Sequence, residues 1–456
     1  MNAPDIVFIH CHDLGRRLSV YDQSSANTPA INRLAAEGIV FNNVFSTSTL
    51  CSPARGSILT GRYPHEIGLF GLTNRGWDLG QDEKGIPKYL NESGYHTVLF
   101  GLQHETRDTS RLGYRERVQP PSPHVTPVWE LAAQVADYFK SLAPRADRPP
   151  VYANIGIFEP HRHDFWEKYA PIDTESVKVP GYLPDTEGVR ADLARYDGLV
   201  EAMDKGVGTI LAGLDEAGLA QDALVLFTTD HGIPFPRAKT SLYDPGIGVA
   251  ALARWPGRIV PGSRSEALLS HVDWLPTLLD LLGVEMPDNV RGISFLPVLL
   301  GQGPGVREEV YGEATYHATY DPIRCIRTRR FKLIRNYDSR PVVYQGVDVN
   351  PNNGILSIGD YPEHLRQQRP PWELFDLHTD PWEQNNLAGQ SEYESVQGEL
   401  QQKLDSWLLQ TADPVGQLYA SFCPSDTQDT SGGMPSINVT RESRRAVEKH
   451  AARAKK

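Results

Sequence analysis

Four short runs of β-branched and aromatic residues constrain this chain most: Ile6–Ile9, His96–Phe100, Val151–Phe158 and Leu224–Thr229. Each is nearly continuous in apolar character, the pattern of a strand buried on both faces of a parallel sheet. The segments between them carry helix signals. Thr28-Pro29 supplies an N-cap and a first-turn proline, Ile31, Leu34 and Ala35 follow at helical spacing, and Gly38 marks the stop. Thr126-Pro127 opens another helix, with Val128, Leu131, Ala132, Val135 and Leu142 on one face. Such repetition predicts an α/β fold, a large, mainly parallel or mixed central sheet flanked by helices. Ligands in these folds bind beyond the carboxyl ends of strands. Two of the runs lead into polar clusters, Ile9–Gly15 and Asp230-His231-Gly232.

After about residue 305 the pattern changes. Cys325–Asn336 reads as a hairpin turning at Arg329-Arg330, and a Pro-, Gly- and Asn-rich stretch runs from Pro341 to Pro371. Glu373–Leu377 and a helix from about Glu392 to Leu409 come next. We therefore expect an N-terminal catalytic domain over 1–305, a smaller C-terminal α+β domain with an antiparallel sheet over 306–425, and a helical tail over 426–456. From Thr440 to Lys456 there are seven Lys/Arg against two Glu. That run reads as an exposed extension or a homo-oligomer contact rather than a nucleic-acid arm.

Charge narrows the function. Across 456 residues, 45 Lys+Arg face 57 Asp+Glu, a net charge of −12. This excludes a generally basic, nucleic-acid-binding surface, and an anionic substrate would need positive charge concentrated locally. Cys11, Cys51, Cys325 and Cys423 are too few and too scattered for a disulfide framework. No stretch approaches the ~20 apolar residues of a membrane span. The start, MNAPDIVFIH, lacks a basic region followed by a long apolar one. The expectation is a cytoplasmic enzyme with neither membrane nor nucleic acid as partner.

The sharpest motif is TLCSPARGSILTGRYP, Thr49–Pro64. Cys51 lies just before Pro53, and Ala54, Ile58 and Leu59 continue at helical spacing. A cysteine there faces the positive end of the helix dipole, which predicts a stabilised anionic state, with Arg55 adding a fixed charge one turn in.

This string resembles the signature of the sulfatase family, Cys-x-Pro-x-Arg followed by Leu-Thr-Gly-Arg. The resemblance implies an alkaline-phosphatase-like core and oxidation of Cys51 to formylglycine by a formylglycine-generating enzyme. It also implies a divalent metal, calcium in the family, held by Asp13, Asp230, His231 and the modified Cys51. The position usually held by a further aspartate is His12 here. Two carboxylates with two imidazoles could favour manganese or another transition metal. Arg55 is implied to stabilise the hydrated aldehyde, Lys239 to contact sulfate, His161 to act at the leaving group, and His104 to help regenerate the aldehyde. Where the family carries a lysine two residues before that histidine, this chain has Leu102. Glu159, Arg162 and His163 are substrate-side candidates. The shared stretches Asp230–Pro236 with a cation three residues on, Thr240–Gly246 and Pro160–His163 look most like the sulfamidases, or heparan N-sulfatases.

The implied reaction is hydrolysis of a small sulfated substrate, an N-sulfated (sulfamate) or O-sulfated sugar. A hydroxyl of the hydrate attacks sulfur, His161 protonates the leaving atom, and His104 takes the proton that releases sulfate. Two alternatives stay open: a phosphonate monoester or phosphodiester hydrolase, whose transition state needs similar charge neutralisation, and a non-catalytic family member.

Overall fold

The computed structural model describes residues 3–118, 126–143, 145–162, 168–317, 320–339, 341 and 366–415. Cys423, His163, the tail over 426–456 and most of the Pro341–Pro371 stretch lie outside these residues. Nine strands form the larger sheet: β1 (Asp5–Cys11), β2 (Ile39–Phe45), β3 (His96–Gly101), β4 (Glu116–Val118), β5 (Val151–Gly156), β6 (Ala223–Thr229), β7 (Gly248–Val249), β8 (Ala251–Arg254) and β9 (Ser263–Ser270). In space they run β4-β3-β5-β1-β6-β8-β2-β7, with β9 also paired to β2. From β4 to β6 the pairs are parallel; β8 is antiparallel to both β6 and β2, so the sheet is mixed.

All four expected strands are present, and β1 shows why their sequences are so apolar. Every residue of β1 is buried, because alternate side chains enter two separate cores. Val7, Ile9 and Cys11 pack toward α1 (Pro29–Glu37), while Ile6 and Phe8 pack on the opposite face. That opposite core includes Ile58 of α2 (Cys51–Thr60) and Ile86 and Leu90 of α3 (Ile86–Glu92). The first core also takes Leu131 and Val135 of α4 (Val128–Ser141) and Leu193 and Val200 of α5 (Glu187–Glu216). Helices thus cover both faces.

One capping expectation needs correcting. Thr28 occupies the N-cap of α1, but its hydroxyl pairs with Ser19 at 2.8 Å. The free N–H groups of Ala30 and Ile31 donate instead to the Asp204 carboxylate of α5, at 3.0 and 2.8 Å. A carboxylate both satisfies the orphan donors and meets the positive helix end.

A second sheet, antiparallel throughout, comprises β10 (Glu309–Tyr316), β11 (Tyr320–Thr328), β12 (Phe331–Asn336) and β13 (Trp372–Asp376) in that order. Arg329-Arg330 form the turn between β11 and β12. Its Ile323, Cys325, Ile334 and Phe375 pack with Phe45, Leu50 and Cys51, so the first turn of α2 sits in the joint between the sheets. Its Ile326, Leu333 and Leu374 pack with Leu400, Leu404 and Trp407 of the helix Glu394–Gln410. Among the described residues, no helix is long and apolar enough to cross a membrane.

A charged cluster locks the joint. His65 Nδ1 pairs with Glu313 and lies 3.6 Å from Asp413 Oδ2, while Arg324 pairs with Asp413 from the other side. Burial works against charge on His65, but Glu313 and Asp413 outweigh it and hold the imidazole up at about 9. A raised folded value means this contribution is complete below the unfolded value of about 6.5 and is lost as pH climbs through 9. His65→Gln is expected to cost roughly 3 kcal/mol at pH 6. Urea unfolding from pH 6 to 10 should show that gap closing between about pH 6.5 and 9; a gap independent of pH would refute the pairing.

Candidate active site

The site is assembled where β1 and β6 end side by side. Their register pairs Cys11 with Thr229, so the next residues of each strand, His12-Asp13 and Asp230-His231, emerge together. Asp13 adopts a left-handed backbone conformation, φ 54°, which a short polar residue tolerates better than most. It is pinned from both sides: its N–H donates to Asp230 Oδ1 at 2.9 Å, and the Tyr196 hydroxyl of α5 donates to its carbonyl.

α2 enters from the joint between the sheets. All ten of its residues are buried, which a helix achieves only when protein surrounds it. Cys51 stands in its first turn with Sγ 3.2 Å from His231 Nε2 and 4.0 Å from Asp13 Oδ1. Arg55, one turn on, reaches Asp230 Oδ2 at 3.3 Å, the Cys11 carbonyl at 3.1 Å and His10 Nδ1 at 2.6 Å. Lys239 brings Nζ to 2.9 and 3.1 Å from the two oxygens of Asp13. His161 follows β5 and places Nε2 3.7 Å from Asp13 Oδ2, its Nδ1 paired with the Arg162 carbonyl at 2.6 Å. His104 follows β3, and both rings lie near His12, at centroid separations of 6.3 and 5.8 Å. Residues from five separate segments of sequence therefore meet in one crevice.

The electrostatics correct one expectation. Burial pushes the Cys51 thiol well up, and Asp230 and Asp13 add to that against the opposing effect of Lys239. A protonated thiol, not a thiolate, is the resting state of the unmodified residue; the helix dipole is too small to offset burial beside two carboxylates. Burial, then Arg55, holds His12 well below its usual range and His104 down at about 4. Burial opposes the charge on Asp230, but His231, His12 and Arg55 outweigh it and keep the carboxylate ionised.

One ligand atom each from His12, Asp13, Cys51 and Asp230 lies within 4.8 Å of all the others. His12 is 1 % exposed, yet neither ring nitrogen makes a hydrogen bond, although Nδ1 sits 3.0 Å from Asp230 Oδ2. A buried neutral imidazole with an unused lone pair beside two carboxylates fits a divalent cation.

Two substrate-side candidates are employed elsewhere. Glu159 is fully buried and accepts from the Val128 N–H at 3.0 Å and from the Tyr169 hydroxyl, so its carboxylate caps α4 rather than facing the crevice. Arg162 pairs with Asp192 at 2.6 Å and lies over the Phe235 ring. The expectations passed over His10, which accepts from Arg55 while its Nε2 pairs with Asn154 at 2.8 Å. A polar residue interrupting a buried apolar strand was the available signal. Tyr196, inside a long helix, offered none.

The sulfatase family model matches residues 4–284, more than half the chain. The chain belongs to the sulfatase family. It is a sulfatase-type hydrolase, of sulfate esters or sulfamates. A second model, for the C-terminal part of N-sulphoglucosamine sulphohydrolase, matches residues 235–352. The human N-sulphoglucosamine sulphohydrolase is 30 % identical over 88 % of this chain and 89 % of its own length. An ulvan-active sulfatase of Formosa agariphila is 30 % identical over 91 % of this chain and 82 % of its own. The crystal structure of a phosphonate monoester hydrolase of Agrobacterium radiobacter superposes with a TM-score of 0.69 at 19 % identity, covering 90 % of this chain and 96 % of that one. At that identity the likeness is one of fold.

Within this sulfatase, Lys239 is the ammonium that offsets fully buried Asp13. Lys239→Met in metal-free buffer is expected to lower stability by roughly 3 kcal/mol, because it strands a buried carboxylate. Tyr196→Phe, which removes one hydrogen bond, should cost about 1 kcal/mol. Urea midpoints compare the two; equal losses would contradict this ranking.

Proposed function

We propose that the protein removes sulfate from a sulfated sugar, with an N-sulfated glucosamine unit as the leading substrate. In this reading Cys51 is converted to formylglycine by a maturation enzyme, and a divalent cation is held by Asp13, Asp230, His12 and His231. The observation that carries the reading is the position of Cys51: the first turn of a wholly buried helix, beside His231, in one cluster with His12, Asp13 and Asp230. Similarity to the human N-sulphoglucosamine sulphohydrolase supports the choice of sugar.

Formylglycine at Cys51 would supply the oxygen nucleophile, and a cation held by His12, Asp13, Asp230 and His231 would neutralise charge on a bound sulfate; calcium is the family expectation, and His12 widens the choice to manganese. The chain's own groups do the rest. Lys239 and Arg55 concentrate positive charge where a sulfate would bind, in a protein that is acidic as a whole. His161 keeps Nδ1 on the Arg162 carbonyl, so Nε2, 3.7 Å from Asp13 Oδ2, is the nitrogen that faces the crevice and would exchange a proton with the leaving nitrogen or oxygen. His104 flanks the same space, in position to accept a proton when sulfate departs.

Peptide mass spectrometry across Cys51, from a host able to make formylglycine, should show the aldehyde in place of the thiol. Cys51→Ala should lower kcat/KM by roughly 10³ or more. Rates on an N-sulfated glucosamine, a sugar O-sulfate and a phosphonate monoester should rank the N-sulfate first; preference for the phosphonate would sink the assignment. Unmodified thiol without turnover would favour a non-catalytic family member. Calcium or manganese should raise the melting temperature of chelator-treated protein, and Asp230→Asn should remove the rise.

A further inference from the structure

A cavity of about 260 Å³ lies where the second sheet meets the first, and none of Cys51, His104, His161 or Lys239 lines it. Three arginines do. Arg17 is neutralised by Asp197, which it grips with two hydrogen bonds of 2.7 and 2.8 Å. Arg327 donates to Asp244 at 3.1 Å, but Asp244 is shared with Lys332 Nζ at 2.9 Å. Arg16 forms no ion pair among the described residues; its Nη2 donates to the Val44 carbonyl at 3.1 Å.

Arg16 and Arg327 share one aromatic support. Their guanidinium carbons lie 4.7 and 4.3 Å from the centroid of the Phe45 ring. The Nε atoms of both are buried and have no hydrogen-bond acceptor, and Arg327 as a whole is 7 % exposed. Neighbouring like charges repel, and buried donors without acceptors are costly, so each orphan asks for an explanation. The Asp244 carboxylate, also in the wall, answers part of this charge for both arginines, and an anion between the two guanidinium groups supplies acceptors for the orphaned donors.

We infer that this cavity binds a small divalent oxyanion, sulfate or phosphate in shape and charge, through Arg16 and Arg327. The volume falls short of the roughly 300–1,000 Å³ typical of pockets that enclose drug-sized ligands, which fits an ion or the charged group of one sugar. Trp382, whose ring lies 5.5 Å from that of Tyr182, lines the cavity as well. Gly15 and Ile233, also in the wall, each follow a residue of the catalytic cluster by two positions, and the Gly15 N–H donates to the His231 carbonyl at 2.8 Å. An anion here braces the loops that carry Asp13 and His231. The inference stands apart from the proposed reaction, since it uses none of the catalytic groups.

Crystals of the full chain soaked in sodium selenate, read by the anomalous signal of selenium, test it. A peak within hydrogen-bond distance of Arg16 and Arg327 is the expected result. Selenate confined to the crevice of Lys239 and Arg55, or to the surface, would overturn it. In a concentration series Arg16→Gln should weaken occupancy of the cavity by about tenfold or more while any peak beside Lys239 stays. If that variant does not fold, the wild-type soak decides alone. A parallel soak with a disulfated glucosamine distinguishes the source: sugar density joined to the bound sulfate marks a sugar-borne group, an isolated peak marks the free ion, and an empty cavity in both soaks refutes the inference.

Discussion

Two carboxylates out of water govern this structure. Asp13 and Asp230 are essentially unexposed at the ends of adjacent parallel strands, and buried charges persist only where opposite charge and hydrogen bonds meet them. Lys239 meets the first; Arg55 and the backbone N–H groups of Asp13 and His231 meet the second. Arg55 can reach only because α2 runs through the interior, and α2 can run there only because the second sheet covers its start. The joint between the sheets is thus part of the electrostatics of the crevice.

How legible this was depended on the range of the interaction. β1, β6, α2 and the Arg329-Arg330 turn were readable because each is set by local pattern: apolar runs, a first-turn proline, a hairpin of alternating residues. Cys51, Arg55, His104, His161 and Lys239 were readable by resemblance, and the structure brings them together around Asp13 and Asp230. What escaped was decided between distant segments. The cap of α1 comes from Asp204, more than 170 positions away, and the carboxylate of Glu159 is claimed by the start of α4. The state of the Cys51 thiol turned on burial beside two acids, which the helix position alone does not reveal.

The same logic shapes the outer charges. Lys332, fully buried in the second sheet, pairs with Asp244 and Glu383, and Glu383 in turn accepts from the Asp244 N–H. Asp244 follows Lys239 by five residues, so the segment that brings an ammonium to Asp13 is itself tethered by the second sheet. A −12 chain keeps its functional positive charge by fixing it in place.

The burial of α2 also sets an order of events. Cys51 is 3 % exposed, its helix has no solvent face, and the cluster that buries it includes residues of β10, β11, β12 and β13, some 260 to 325 positions downstream. An enzyme acting on that side chain has to reach it while this C-terminal region is unpacked. On the proposed reading, in which a maturation enzyme converts Cys51, that conversion is a race against the chain's own folding, and substitutions that hasten closure of the joint would leave more protein folded with its thiol unconverted.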